Sequence, residues 1–191
     1  MTKIMILCWD MQIESLKQYL SDQVEFTKLA EQICHVAAVR SDYPDYLDWF
    51  YHKQLAGIGG PERNILFARN PQTMDEIVAV ANLKKDNVER KICTLYVDQA
   101  HRGQGIGGAL LKESMRWLET TKPLITFADG KLTTFMPFIN KYDWQFVESV
   151  AGIYRPGMRE LCFNGGLTKQ TDKLTTLVGF PTRARATDLE K

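Results

Sequence analysis

Residues 95–111 read LYVDQAHRGQGIGGALL, and this stretch decides the fold. An apolar run with β-branched and aromatic residues precedes a short polar loop, several glycines and an amphipathic segment. This order predicts a strand, then a turn, then a helix over 106–120. Glycine amides can approach an anion closely, the helix start adds unsatisfied donors and its positive dipole end, and Arg102 adds a fixed positive charge. The stretch therefore predicts a binding site for a diphosphate.

The spacing Arg102-x-x-Gly105-x-Gly107 resembles the acetyl-CoA signature of the GNAT acyltransferase superfamily, Gln/Arg-x-x-Gly-x-Gly/Ala. The resemblance extends over roughly residues 64–165. It implies that the strand offers backbone groups to the pantetheine arm of acetyl-CoA, in a wedge between this strand and the next one along the sheet. The cofactor-binding residues that it implies are Leu95, Tyr96, Val97, Arg102, Gly103, Gln104, Gly105, Ile106, Gly107 and Gly108.

A rival motif uses the same letters. Residues 103–108 also spell G-x-G-x-x-G, and Asp129 follows about 20 residues later, as in dinucleotide-binding folds. That fingerprint follows its strand almost directly, whereas residues 98–102 intervene here. The GNAT-like interpretation is therefore favoured, and a nicotinamide-binding oxidoreductase is the minor alternative.

The elements around this stretch indicate the fold class. Strand-like runs at 65–69 and 77–83 flank a turn at 70–73, and a second turn at 84–87 leads into a strand at 90–97. Further strands are predicted at 124–127, 144–154 and 159–163, with a helix at 132–141 that Pro137 should kink or delay. Three successive strands without helices between them predict an antiparallel meander. The predicted class is α/β (α+β): a mostly antiparallel mixed sheet flanked by helices and splayed at the motif strand.

The ends of the chain are less regular. A buried strand is predicted at 4–9, then a helix from the spacing of Ile13, Leu16, Tyr19 and Leu20, whereas the structure of 26–40 stays open. A helix is predicted at 41–57, with Ser41 or Asp42 as its cap. The polar residues after 165 predict a tail with a mobile end, so the predicted domains are 1–165 and 166–191.

The helix at 41–57 carries clustered aromatic and acidic residues. The resemblance implies that this helix lines the acceptor cleft, and core packing is the alternative for its aromatics. Its aspartates could attract an ammonium group or simply stabilise the helix start. These residues are Tyr43, Tyr46, Trp49, Phe50 and Tyr51, and Asp42, Asp45 and Asp48.

Composition excludes several function classes. The 24 basic and 23 acidic side chains nearly cancel, so no overall field favours nucleic acid or a membrane surface. Cysteines and histidines show no metal-ligand spacing, and no apolar run is long enough for a membrane span or a secretory signal. We expect a cytoplasmic protein with no nucleic-acid or membrane partner. Exposed strand edges and the tail could serve a homodimer.

The resemblance implies an N-acetyltransferase that moves an acetyl group from acetyl-CoA, the acetyl donor, to a primary amine on a small molecule or peptide. Many family members protonate the leaving thiolate from a tyrosine whose position is Ile139 here, so Tyr142, three residues later, is the candidate acid. Glu89 is the candidate base, because it shares a strand face with Lys91, where some members place a glutamate. Solvent could do both jobs. The missing tyrosine keeps a second hypothesis open, a non-catalytic CoA-binding sensor or scaffold.

Overall fold

The computed structural model describes residues 12–37, 43–70 and 72–167. The strand predicted at 4–9, the caps predicted at 41–42 and the tail beyond 167 lie outside these residues. The strands are β1 (Ile13–Ser15), β2 (Arg63–Arg69), β3 (Ile77–Lys85), β4 (Arg90–Val97), β5 (Leu124–Ala128), β6 (Phe146–Ala151) and β7 (Arg159–Phe163). The helices are α1 (Gln23–Val36), α2 (Tyr46–Trp49), α3 (Ile106–Leu118) and α4 (Leu132–Tyr142). Among the described residues, no helix is long and apolar enough to cross a membrane.

All seven strands form one sheet, in the order β1-β2-β3-β4-β5-β7-β6. Strands β2, β3 and β4 are the predicted antiparallel meander, and β5 alone joins its neighbour β4 in parallel. Strand β7 inserts between β5 and β6, antiparallel to both. In the part of the chain that the structure describes, no helix separates β2, β3 and β4. This topology is not the doubly wound parallel sheet of the dinucleotide-binding alternative.

The sheet is covered on both faces, and each face has its own core. Strand β3 is buried along Ile77–Leu83 because α3 packs on one side of it and α1 on the other. The α3 face gathers Leu110, Leu111 and Phe135, and the α1 face gathers Leu29 and Phe50 with their neighbours. The two cores place α3 and α4 on one side of the sheet and α1 and α2 on the other.

The helix predicted from Ile13 to Leu20 was wrong. Residues Ile13–Ser15 instead form β1 on the edge of β2, and Leu16–Tyr19 form a single 3₁₀ turn. Strand pairing satisfies the backbone of β2 along this edge, and Glu14 binds Arg69 at 2.8 Å across it. Long-range pairing has therefore overridden the local helical spacing.

The segment left open by the sequence is the long helix α1. Asp22 begins it by accepting the amide of Glu25 at 3.0 Å. The next helix, predicted at 41–57, is confirmed over Tyr46–Leu55, where α2 continues directly into a π-helical turn, Phe50–Leu55. The buried side chain of Gln54 donates to the carbonyl of Asn64 at 2.8 Å, which fastens this turn to the sheet.

The C-terminal half follows the sequence closely. Helix α4 contains Pro137 in its interior, and its start at Leu132 is not delayed. Strand β6 is shorter than predicted, because Trp144 is buried before it and donates its indole N–H to the carbonyl of Thr121 at 2.9 Å. Strand β7 has the predicted bounds.

Candidate active site

The sheet splits between β4 and β5. These strands pair at Lys91–Leu124 and Ile92–Ile125 and then separate. The cause lies in β4, where Ile92 pairs with Leu83 and Thr94 pairs with Asn82, so that Cys93 is an extra residue. A bulge of this kind bends its strand and increases the local twist. The predicted wedge is therefore present, and it opens immediately after the bulge.

The wedge forms a cavity of about 520 Å³, which we call the donor groove. Its walls are β4 from Ile92 to Val97, residues 125–128 of β5, and one side of α4 that includes Thr134 and Phe138. The side of β4 that faces the groove has no neighbouring strand beyond Ile92. Backbone groups on that side are available to an extended ligand, as at any unpaired strand edge.

The glycine turn closes one end of the donor groove. Gly103 and Gly105 have φ angles of +77° and +85°, values that side chains other than glycine adopt at a cost. Gly105 begins α3 without a side-chain cap, so the first amides of the helix keep their hydrogen-bonding capacity. At Gly107 an added Cβ would lie 3.4 Å from Val97. The turn is thus a cradle of backbone donors at a helix start, suited to an anion.

Arg102 lies exposed beside this cradle. Its Nε donates to the carbonyl of Val97 at 3.0 Å, and its guanidinium lies 6.0 Å from the ring centre of Tyr96. Among the described residues, no carboxylate forms a salt bridge with Arg102. A guanidinium fixed at Nε still has terminal donors for a phosphate.

Most of the predicted cofactor residues line the donor groove, and two do not. Those in its wall are Leu95, Tyr96, Val97, Arg102, Gly103, Gly105, Gly107 and Gly108. Gln104 instead donates to the carbonyl of Ala100 at 3.4 Å, and the side chain of Ile106 is buried in the core. The motif spelling could not separate these residues because it does not specify the direction of each side chain.

A second cavity of about 420 Å³ lies on the other side of β4, and we call it the acceptor cavity. Its walls include Tyr46, Asp48 and Trp49 of α2, Lys53 of the π-helical turn, and Lys91 of β4. Asp48 is paired with His52 at 3.0 Å. The helix expected to line an acceptor cleft does line this cavity, with aromatic walls and charges of both signs.

The two cavities meet at the bulge. Tyr43, Cys93, Thr94 and Thr126 are the residues that line both. Burial raises the pKa of the Cys93 thiol. A ligand in the donor groove and one in the acceptor cavity would approach each other at this junction.

A carboxylate that sequence reasoning missed lies behind the junction. Glu160, 4% exposed, sits within β7, and the hydroxyl of Tyr43 donates to both of its carboxylate oxygens at 3.3 Å. Tyr154 packs edge-on against Tyr43 at 5.0 Å and shares a side-chain hydrogen bond with Thr126. Burial, and then the charge of Glu160, raise the pKa of Tyr154 to about 12. One sequence signal existed: Glu160 alternates with the buried Cys162 in β7, so it falls on an inward-facing position.

The two catalytic candidates from the sequence line neither cavity. Tyr142 ends α4 and stacks on Trp144 at 6.2 Å, within the core on the α3 face. Glu89 lies in the β3–β4 turn, where its carboxylate binds Lys84 at 2.7 Å. The structure does not bring these two side chains together or to the junction.

Comparison with known proteins identifies the class. The sequence model of the acetyltransferase (GNAT) family matches residues 24–128, and the chain belongs to this family. The predicted family and fold class are thereby confirmed, as is the expectation of an acetyltransferase enzyme. A search of curated protein sequences gives no significant match.

Solved structures share the fold at low sequence identity. A GNAT-family protein from Desulfovibrio desulfuricans is 14% identical, with a TM-score of 0.55 over 71% of this chain and 90% of that one. An aminoglycoside 6'-N-acetyltransferase complexed with coenzyme A is 16% identical, with a TM-score of 0.51 over 80% of this chain and 95% of that one. At these identities the likeness concerns the fold.

Proposed function

We propose that this protein transfers the acetyl group of acetyl-CoA to a primary amine by direct attack. The observation that carries the proposal is the split between β4 and β5, which runs from the bulge at Cys93 to the glycine turn. An elongated donor with a diphosphate at one end and a reactive group at the other fits this arrangement. The family match and the neighbour that holds coenzyme A support the same donor.

The residues of the donor groove have separate tasks in this proposal. The amides at the start of α3 and the guanidinium of Arg102 hold the diphosphate. The unpaired side of β4, from Leu95 to Val97, hydrogen-bonds the pantetheine arm as a neighbouring strand would. Gln104 and Ile106 hold the turn in shape, through a bond to Ala100 and through core packing.

The acceptor amine approaches from the acceptor cavity. The aromatic walls at Tyr46 and Trp49 suit a cationic or planar group. The aspartates at 45 and 48 can hold an ammonium group, while Lys53 and Lys91 in the same wall balance their charge. The reaction then takes place at the junction, where the amine nitrogen and the thioester carbon are held within reach of each other. The neighbour that acetylates an aminoglycoside shows one kind of amine accepted by this fold.

The first test is thermal unfolding with acetyl-CoA, coenzyme A and NADH side by side. A ligand at about 100 times its dissociation constant stabilises a protein by roughly 2.7 kcal/mol, which for this length raises the midpoint by about 5–10 °C. We expect a rise with acetyl-CoA and coenzyme A but none with NADH. A rise with NADH alone would overturn the proposal.

The second test is release of the coenzyme A thiol in the presence of amines. The panel consists of kanamycin, spermidine, an amino acid amide, a peptide with a free N-terminus and an N-acetylated peptide with one lysine. We expect acetylation of at least one of them, confirmed by a mass increase of one acetyl group. Binding of acetyl-CoA without thiol release from any amine would favour the sensor or scaffold hypothesis instead.

A further inference from the structure

None of the roles proposed above involves the buried carboxylate of Glu160. Its strand is held on both sides, with Glu160 paired to Ala128 of β5 and to Val150 of β6. It does not line either cavity, but the hydroxyl of Tyr43 reaches both of its oxygens, and Tyr43 lines both cavities. Tyr43 therefore connects an enclosed acid to the place where donor and acceptor meet.

Other ionisable groups at the junction are held in their protonated form. Burial raises the pKa of the Cys93 thiol, and burial with the charge of Glu160 raises the pKa of Tyr154 to about 12. Neither group is a base at neutral pH. The Glu160 carboxylate can accept a proton, and it has a hydroxyl on the path to the acceptor.

The charged and titratable groups around Glu160 come from several elements. On the acceptor side, Tyr43 donates a hydrogen bond to Glu160, and Tyr154 interacts with it electrostatically. Lys91 and Cys93 of β4, Glu148 of β6 and Cys162 of β7 interact electrostatically with this cluster. By position, the remaining groups are Asp45, which lines the acceptor cavity with Tyr43, Arg159 beside Glu160, and Asp129 and Lys131 after its pairing partner Ala128. A pH-dependent rate must be assigned among these groups by substitution.

We propose that Glu160, acting through the hydroxyl of Tyr43, takes a proton from the ammonium group of the acceptor. This inference rests on the proposed function. Tyr43 is the group that touches the acceptor, and Glu160 is the positioning residue behind it that ends the proton path.

The step balances as a two-proton transfer. The ammonium group gives one proton to the oxygen of Tyr43 while the hydroxyl proton of Tyr43 moves to Glu160, so the amine and Tyr43 are neutral and Glu160 is a carboxylic acid. The amine lone pair then forms the C–N bond and the C–S bond breaks, with its electron pair on sulfur. The second proton leaves the new amide nitrogen for the thiolate, and Glu160 returns its proton to solvent.

The chain contains a matched control for this pair. Glu14, 8% exposed, accepts the hydroxyl of Tyr19 near the opposite edge of the sheet, outside both cavities. The variants Glu14→Gln and Tyr19→Phe thus make the same chemical changes at a distance from the junction.

The experiment measures kcat/KM against pH with acetyl-CoA and whichever panel amine reacts best. Glu160→Gln and Tyr43→Phe should each lower kcat/KM by about 100-fold at pH 7, as loss of a general base does. The double variant should be no slower than either single one, because the two residues act in one path. Both controls should stay within about twofold of the wild type.

The pH profile separates a proton role from a structural one. Without the relay only neutral amine reacts, so the kcat/KM of each variant should rise about tenfold per pH unit below the acceptor's own pKa. The wild type should rise less steeply, and Glu160→Asp should restore part of its rate. Acetyl-CoA affinity, measured by thermal shift, should be unchanged in Tyr43→Phe. This variant keeps the aromatic ring, so it still tests the relay if Glu160→Gln fails to fold.

Three outcomes would overturn the inference. The relay would be excluded if Glu160→Gln and Tyr43→Phe lowered kcat/KM no more than the controls do, or if their losses of kcat/KM added up in the double variant. It would also be excluded if the variants and the wild type had parallel pH profiles of kcat/KM. If the wild type binds acetyl-CoA but acetylates no amine of the panel, the proposed function fails and the inference falls with it. Turnover by the wild type with unaffected Glu160 and Tyr43 variants would overturn the inference alone.

Discussion

Replacing Gly105 with alanine tests the glycine turn as the diphosphate site. Gly105 has φ +85° at the start of α3, and an added Cβ would meet nothing within 4 Å. The cost is therefore conformational rather than steric, about 1–2 kcal/mol for a left-handed residue. For a chain of this length that lowers the midpoint of thermal unfolding by roughly 2–8 °C.

Gly105→Ala should weaken acetyl-CoA binding more than it destabilises the fold. When the residue leaves its left-handed conformation, the first amides of α3 no longer point together, and one hydrogen bond to a charged phosphate is worth about 1.5–3 kcal/mol. Gly105→Ala should therefore raise the dissociation constant for acetyl-CoA by about 10–150-fold. Isothermal titration calorimetry measures this change directly.

Gly157→Ala is the matched control. Gly157 has φ +78°, an added Cβ would again meet nothing within 4 Å, and the residue lies in the β6–β7 turn, outside the donor groove. It should lower the unfolding midpoint by a similar amount and leave acetyl-CoA affinity unchanged. If Gly105→Ala binds acetyl-CoA as tightly as Gly157→Ala does, the turn does not hold the diphosphate.

Three further substitutions probe the donor groove, the partly buried Lys84–Asp86 ion pair, and Tyr142, the acid suggested by the sequence. Arg102→Glu should weaken acetyl-CoA binding at least tenfold in calorimetry, whereas Lys112→Glu, the same charge change on α3 outside the groove, should not; equal losses would make the effect one of net charge. Burial disfavours the charge of Asp86, but bonds from Lys84 and two backbone amides outweigh burial and lower its pKa to about 2. A depressed pKa stabilises the fold above about pH 4, and this stabilisation is lost as pH falls toward 2. Asp86→Asn should therefore lower the free energy of unfolding in urea by about 1–2 kcal/mol at neutral pH and by nothing near pH 2. A difference that stays constant with pH would contradict this. Tyr142→Phe should change kcat less than about twofold, since Tyr142 lines neither cavity, and a tenfold loss would return it to the role of acid.

The donor side of the molecule could be predicted from sequence because its signals are local. The turn chemistry at Asn70, whose side chain accepts the amide of Gln72 at 3.0 Å, and the glycines after β4 each define structure within a few residues. The meander and α3 follow from these signals in order along the chain, whereas the wedge was expected from the resemblance to the GNAT family. The motif does not distinguish side-chain directions: the side chain of Gln104 bonds to Ala100 and that of Ile106 packs in the core, and neither lines the groove.

The junction could not be predicted in this way. Tyr43 and Glu160 are 117 positions apart in sequence and meet because β7 inserts between β5 and β6. The sequence of a five-residue strand does not determine which strands will pair with it. The helix prediction for the residues of β1 failed for the same reason, since the partner strand β2 begins nearly fifty residues later.

The two-sided sheet has a consequence for how such an enzyme changes its acceptor. The donor groove is built from β4, β5 and the helices of the α3 face. The acceptor cavity takes more than half of its wall from residues 43–53, which lead into and form α2 and the π-helical turn, and these two elements pack in the core of the opposite face. On the proposed function, substitutions between residues 46 and 58 can therefore alter the acceptor with little disturbance of the donor groove, whereas Tyr43 lines both cavities. This separation allows one acetyl-CoA scaffold to be retargeted by exchange of a single short segment, and it marks that segment as the place to begin redesign.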